Sequence, residues 1–151
     1  MKSRVVFSVP ILLFFLVLGH KCFSNGYMPD ERINEYPWIR DEFNVNVIVD
    51  SIAIMNCVYA KAIHAAAIYS EQYARFERLI QIAKTEQLEG LTKHPNAVVR
   101  VYAYKALLIR DKQVAAFARK RLNKDDKKVC ALMGCMSFEG RVKQFLKYSL
   151  N

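Results

Sequence analysis

The chain has 151 residues, with 23 Lys and Arg against 14 Asp and Glu and a formal net charge of +9 at pH 7. That length fits one domain with a hydrophobic core of its own. Three histidines, four cysteines and the lack of a Gly-rich phosphate loop or a nucleophile elbow argue against the common nucleotide-binding and hydrolase sites.

Residues 1–24 read as a secretory signal peptide. Lys2 and Arg4 precede an apolar run from Val5 to Gly19, a length suited to a signal core and short for a membrane span. Cys22-Phe23-Ser24 offers a small-x-small site, so cleavage is expected after Ser24. An uncleaved anchor and a lipoprotein are the alternatives, and Lys21 before Cys22 disfavours the second. Removing the segment takes away three basic residues and no acid, so the charge falls from +9 to +6. The expected location is secreted or periplasmic, with no stable membrane span after cleavage.

Residues 25–44 read as an irregular entry segment, because Pro29 and Pro37 discourage a long helix. Tyr36, Trp38, Ile39 and Phe43 are expected to pack as an N-terminal lid. From Val45 to Ile68 the chain reads as one long central helix, since Ala60, Ala62, Ala65, Ala66 and Ala67 have high helix propensity. A short strand over Val45–Val49 is the alternative by alternation. Glu71 to Lys84 is amphipathic, with Tyr73, Phe76, Leu79, Ile80 and Ala83 on one side and Glu71, Arg75, Glu77, Arg78 and Lys84 on the other. Thr85 is expected to cap the helix that follows.

Leu88 and Leu91 lie on one face of that helix, and His94-Pro95 ends it, because the residue before a proline is pushed out of the α region. Asn96 is placed to cap the next helix, in which Val99, Ala103, Ala106, Leu107 and Arg110 recur at helical spacing. A connection this short implies an antiparallel helix pair. Leu88, Leu91, Pro95, Asn96, Val99, Arg100, Ala103, Ala106 and Leu107 together resemble a HEAT or HEAT-like repeat. The resemblance covers residues 85–110 and thins over 111–149. It implies that Arg100 bonds to acidic or carbonyl groups nearby, and Asn96 stands where the family usually carries Asp. A shift of thirty residues lays Pro95-Asn96 over Asp125-Asp126 and Val99 over Val129, consistent with a second, diverged copy.

After the corner pair, helices are expected over Lys112 to Leu122 (through Val114, Ala115, Phe117, Ala118 and Leu122), over Val129 to Met136, and from Val142 to Leu150. Gly134 and Gly140 act as breakers, with Gly140 in the final connection. The implied fold class is all-α: a short right-handed stack of antiparallel helix pairs, an α-solenoid fragment over residues 45–151, preceded by the long central helix. Of the three cysteines left after cleavage, Cys130 and Cys135 are too far apart on one helix to join. Cys57 remains free to pair with either one. The adopted reading is three buried thiols.

Cys57, Lys61 and His64 share one face of the expected central helix. Two candidate ligands do not close a metal site, and a Cys–His nucleophile lacks an orienting group. No cofactor, no metal and no enzymatic activity are expected. Charge is more informative: residues 25–96 balance at −3, and residues 97–151, with thirteen bases and four acids, at +9. Such a run attracts acidic partners or merely solvates a surface. Nucleic acid is not expected, since no recognition motif appears. The sequence thus points to a protein-binding module or scaffold with a protein partner, an acidic one being the candidate. Contacts are expected at Tyr102, Tyr104, Lys105 and Arg110, with Arg119 and Arg121 at one edge; Asn96 and Arg100 are structural. The alternative is a small exported inhibitor or immunity-type protein that blocks an enzyme's cleft, marked by an acidic or aromatic loop tip.

Overall fold

A computed structural model describes residues 27–148 and Leu150; the expected signal peptide lies outside the described residues. The fold is not all-α. Over the described residues it is 55% helical and 18% strand, and four strands there form one mixed sheet of order β2-β1-β3-β4.

The N-terminal segment is a single 3-10 turn, Glu31–Glu35, capped by the Asp30 carboxylate, and a short helix α1, Pro37–Arg40. Only part of the expected lid closes. Ile39 is buried, and the Tyr36 hydroxyl donates to the Tyr69 carbonyl at 3.0 Å. Trp38 and Phe43 stay 64% and 80% exposed.

The expected long central helix stops after three turns. Helix α2, Val45–Met55, starts at the Asn44 cap and ends at Asn56, whose φ of 48° is left-handed. Asparagine tolerates that region better than most residues and commonly ends helices there. The alternating reading of Val45–Val49 as a strand is likewise overturned. Beyond Asn56 the chain becomes strand β1, Cys57–Ile63, a turn with positive φ at His64 and Ala67, and strand β2, Ile68–Tyr69. The alanines that argued for helix therefore lie in a strand and a tight turn. Cross-strand pairing outweighs a propensity of only about 0.5 kcal/mol per residue.

Helix α3, Glu71–Ile82, buries the expected Tyr73, Phe76, Leu79 and Ile80, but also Glu77 and Arg78 from the side expected to face solvent. Helix α4, Thr85–Leu91, begins one residue earlier than expected: Lys84 is the cap, and its N–H donates to the Gln87 side chain at 2.9 Å. Helices α5, Ala97–Arg110, and α6, Lys112–Leu122, follow. The second repeat copy does not form. Where a helix was expected from Val129 to Met136, strand β3, Lys128–Gly134, turns at Gly134 (φ 57°) into strand β4, Met136–Arg141. Gly140 lies inside β4, where a Cβ would come within 2.9 Å of the Phe145 ring. The last helix is one turn, α7, Val142–Phe145.

Strand β1 runs parallel to β3, with Cys57 opposite Cys130 and Val58 opposite Ala131; β4 runs antiparallel to β3. Helices α3 to α6 form the crossover between the two parallel strands. That register puts Cys57 and Cys130 4.6 Å apart at Cα and joins them in a disulfide, while Cys135 is an exposed free thiol in the β3–β4 turn. Three buried thiols are thus replaced by one bridge and one surface thiol. The core lies between α3, α5 and the sheet: Phe76, Leu79, Val99, Ala103 and Leu107 from the helices, Val58, Val129 and Ala131 from the strands.

Candidate binding surface

The Pro-Asn corner is held by two side chains. Asn96 Oδ1 accepts from the N–H groups of Val98 and Val99 at 2.8 and 3.1 Å, while its Nδ2 donates to the Ala53 carbonyl and to Asn56 Oδ1. Arg100 donates from Nη1 to the carbonyls of His94 and Pro95 at 2.7 and 2.8 Å and from Nε to Asp125 Oδ2 at 2.7 Å. His94 is tied in as well, its Nδ1 accepting from the Asn96 N–H.

Helix α5 is buried along nearly its whole length, so it offers no open second-helix face. Tyr102 is fully buried; its hydroxyl accepts from the Tyr59 N–H at 2.8 Å and donates to the Tyr59 carbonyl at 3.3 Å, with its pKa raised by burial. Tyr104 is buried too. Lys105 is buried with its ammonium donating to the Tyr148 carbonyl; burial, reinforced by Arg119, pulls its pKa down to about 8. Arg110 ties α5 to α3 through the Ile80 carbonyl at 2.6 Å. Arg121 ties α6 to α4 through the Thr92 carbonyl at 3.2 Å and the Thr92 hydroxyl. Of the six expected contact residues, Arg119 alone stands on the surface with no bond to another side chain or carbonyl among the described residues.

The enzymatic candidates disperse in a similar way. Cys57 is spent in the disulfide, Lys61 is an ion-pair partner of Asp30 at 2.8 Å, and His64 is an exposed turn residue. Among the described residues no group of three or more His, Cys, Asp or Glu could hold a metal. A polar cluster surrounds the buried Glu77, which accepts from the Tyr69 hydroxyl at 2.7 Å and the Asp30 N–H at 3.2 Å. Asp30 in turn binds Arg32 and Lys61, which hold its carboxyl well below the usual range. This cluster fastens the N-terminal segment to α3 and β1.

What the surface does offer is the outer side of α6. Phe117, expected in the core, is 69% exposed, and the Lys120 ammonium sits over its ring at 5.5 Å from the centroid. The buried line of α6 runs through Ala115, Ala118 and Leu122; those residues alone are at i, i+3 and i+7, the signal that would have left Phe117 outside. Phe117, Lys120, Arg121 and Lys124 border a shallow hollow of about 600 Å³ together with Asp125, whose carboxylate is paired with Arg100.

All four acids of the second half are already engaged. Asp111 caps α6 through Gln113 and Val114, and Asp125 holds Arg100. Asp126 holds Arg141 and Lys143, and Glu139 holds Lys128. Among the described residues, Arg119, Lys120, Lys124, Lys127 and Lys147 therefore have no carboxylate within ion-pair distance. The chain matches no protein-family model and no curated protein.

Proposed function

We propose that this chain is an exported, non-enzymatic module that binds an acidic protein through the outer face of α6. The observation that carries the reading is the unneutralised cluster of Arg119, Lys120 and Lys124 around an exposed Phe117, in a region whose acids are all committed elsewhere. Surface cations without local partners attract an acidic partner over a Debye length of roughly 8 Å at physiological salt. An exposed aromatic ring at the centre supplies apolar contact area. The Cys57–Cys130 bridge supports export, since disulfides persist in oxidising compartments. The HEAT-like corner serves here as a structural joint within a mixed fold.

The test is association of the purified protein with partners isolated from envelope and medium, for the unmutated chain and for Arg119→Glu/Lys120→Glu/Lys124→Glu. The expected result is an on-rate that falls with added salt and is lost in the triple variant, with unchanged circular dichroism. An unchanged on-rate in the triple variant at low salt overturns the reading.

One observation favours a second reading, a small exported inhibitor or immunity-type protein. The connection Asp41–Asn44 carries two acids and the exposed Phe43, and it is braced from beneath by Arg78. That guanidinium donates to the Glu42 carbonyl at 2.6 Å and lies 4.8 Å from the Phe43 ring centre. Such a loop suits insertion into a basic cleft; in that case Phe43→Ala, and not the α6 charges, controls binding.

A further inference from the structure

On strands β1, β3 and β4 a groove of about 570 Å³ opens between Arg32 of the N-terminal segment and Tyr148 of the C-terminal tail. Its size falls in the range of small-molecule sites. Ala62 of β1 and Gly134 of β3 contribute no bulk to its floor, and a Cβ at Gly134 would meet nothing within 4 Å. One wall is aromatic and fixed: Phe138 stacks on Phe145 at 5.9 Å, and Tyr148 packs edge-on against both. Met133 and Met136 form the adaptable side.

The end of the groove at the N-terminal segment is cationic. Arg32 and Lys61 both reach the same oxygen, Asp30 Oδ2, at 2.9 and 2.8 Å. With the buried Glu77, which accepts from the Asp30 N–H, the cluster holds two cations and two carboxylates, but Arg32 and Lys61 line the groove and neither carboxylate does. Donors also remain: Arg32 Nη1 has no hydrogen bond among the described residues, and a lysine ammonium carries three protons of which this contact uses one. An apolar trough ending in the unused donors of Arg32 and Lys61, with no acid in its lining, matches a ligand with an apolar body and a terminal anion.

We propose that this groove binds a single-chain amphipathic carboxylate, its chain along Met133, Met136 and Phe138 and its carboxylate at Arg32 and Lys61. The site is separate from the α6 face and does not depend on the reading above.

The experiment is calorimetric titration of the purified, disulfide-intact protein with octanoate, decanoate and dodecanoate below their micelle concentrations, and with decyltrimethylammonium as the cationic control. Decanoate is expected to bind at one site per chain, with affinity rising about fourfold for each added methylene that is buried. The cationic control is expected to bind at least tenfold more weakly. Ala62→Phe, which fills the floor, should abolish binding. Met136→Glu, at the exposed rim where little packing is lost, should weaken it at least tenfold, and it serves where Ala62→Phe does not fold. The proposal is overturned if decanoate shows no saturable binding, if the cation binds as well, or if Met136→Glu binds like the unmutated chain. Binding to phosphatidylglycerol vesicles without binding to free decanoate overturns it too.

Discussion

Arg100 Nε lies 2.7 Å from Asp125 Oδ2, and this one contact joins the Pro-Asn corner to the turn that precedes β3. The same guanidinium holds the two corner carbonyls, so it links the helical part of the chain to the start of a sheet strand. Hydrogen bonds to charged groups contribute roughly 1.5–3 kcal/mol each, and both side chains of the pair are largely buried. Arg100→Ala is expected to lower the unfolding free energy by about 3 kcal/mol. Asp125→Ala should cost about 2, and the double variant less than the sum, because each single change strands the other partner. Urea unfolding of the four proteins measures this; strict additivity counts against the coupling.

The Cys57–Cys130 bridge closes a loop with a sequence separation of 73, which holds all of helices α3 to α6. In the loop-entropy account a closure of that length stabilises by about 4 kcal/mol. Reduction, or Cys57→Ser with Cys130→Ser, should therefore lower the midpoint of thermal unfolding sharply, by roughly 3–5 °C per kcal/mol at this size. Peptide mapping without reductant should recover Cys57 and Cys130 linked and Cys135 alkylated. Alkylation of all three contradicts the assigned register of β1 against β3.

The helical middle of the chain was legible because its signals are local. Apolar spacing located α3, α5 and α6, and Asn96 announced the start of α5 next to a proline. The sheet was not legible, for reasons that particular residues make clear. Ala60 and Ala62 favour helix in isolation, yet they lie in a strand whose Cys57, Val58 and Tyr59 pair with Cys130, Ala131 and Leu132, and no local signal records such distant partners. Asn56 was the one local clue, a residue suited to the left-handed end of a helix in the midst of apolar ones. The strand β3 was masked by a repeat alignment that laid Val129 over Val99. Once α5 is flanked by a sheet as well as by helices, its Tyr102, Tyr104 and Lys105 have no solvent side. A solenoid would have left them one. Phe117 could have been placed correctly from the narrow Ala115, Ala118, Leu122 line.

Lys105 predicts a pH dependence. Its pKa in the folded chain is about 8, lowered from an ordinary 10.5. Between those values the unfolded chain binds more protons than the folded one, so stability rises with pH from about 8 upward. Tyr69, Tyr73, Tyr102 and Tyr104 act in the opposite sense. Burial raises their pKa values above the ordinary 10.0, so above about pH 10 the unfolded chain loses protons that the folded one retains, and stability falls. The expected profile has a maximum between pH 9 and 10 on the scale of these pKa values. Lys105→Met should remove the rise between pH 8 and 10 and leave the fall. A rise of equal size in Lys105→Met assigns it to another group.

Asn96 tests whether the corner follows the helical-repeat pattern expected from the sequence, in which an Asp would stand at this position. An Asp would keep the cap, since Asp and Asn are about equal in that role, and its charge would favour the start of α5. Here, however, Asn96 Nδ2 also donates to the Ala53 carbonyl at 3.3 Å and to Asn56 Oδ1 at 2.9 Å. An aspartate turns both contacts into oxygen facing oxygen, and only the Asn56 amide can rotate to restore one of them. Asn96→Asp should thus cost about 1 kcal/mol, and Asn96→Ala about 2, by losing the cap and both donors. The cost should appear in the unfolding rate of the α2–α5 junction, read by hydrogen exchange of the Asn56 N–H, which is bonded to the Ile52 carbonyl at 3.1 Å. If Asn96→Asp is as stable as the unmutated chain, the link from the corner to the end of α2 contributes nothing, and the corner behaves as it would in a simple helix pair.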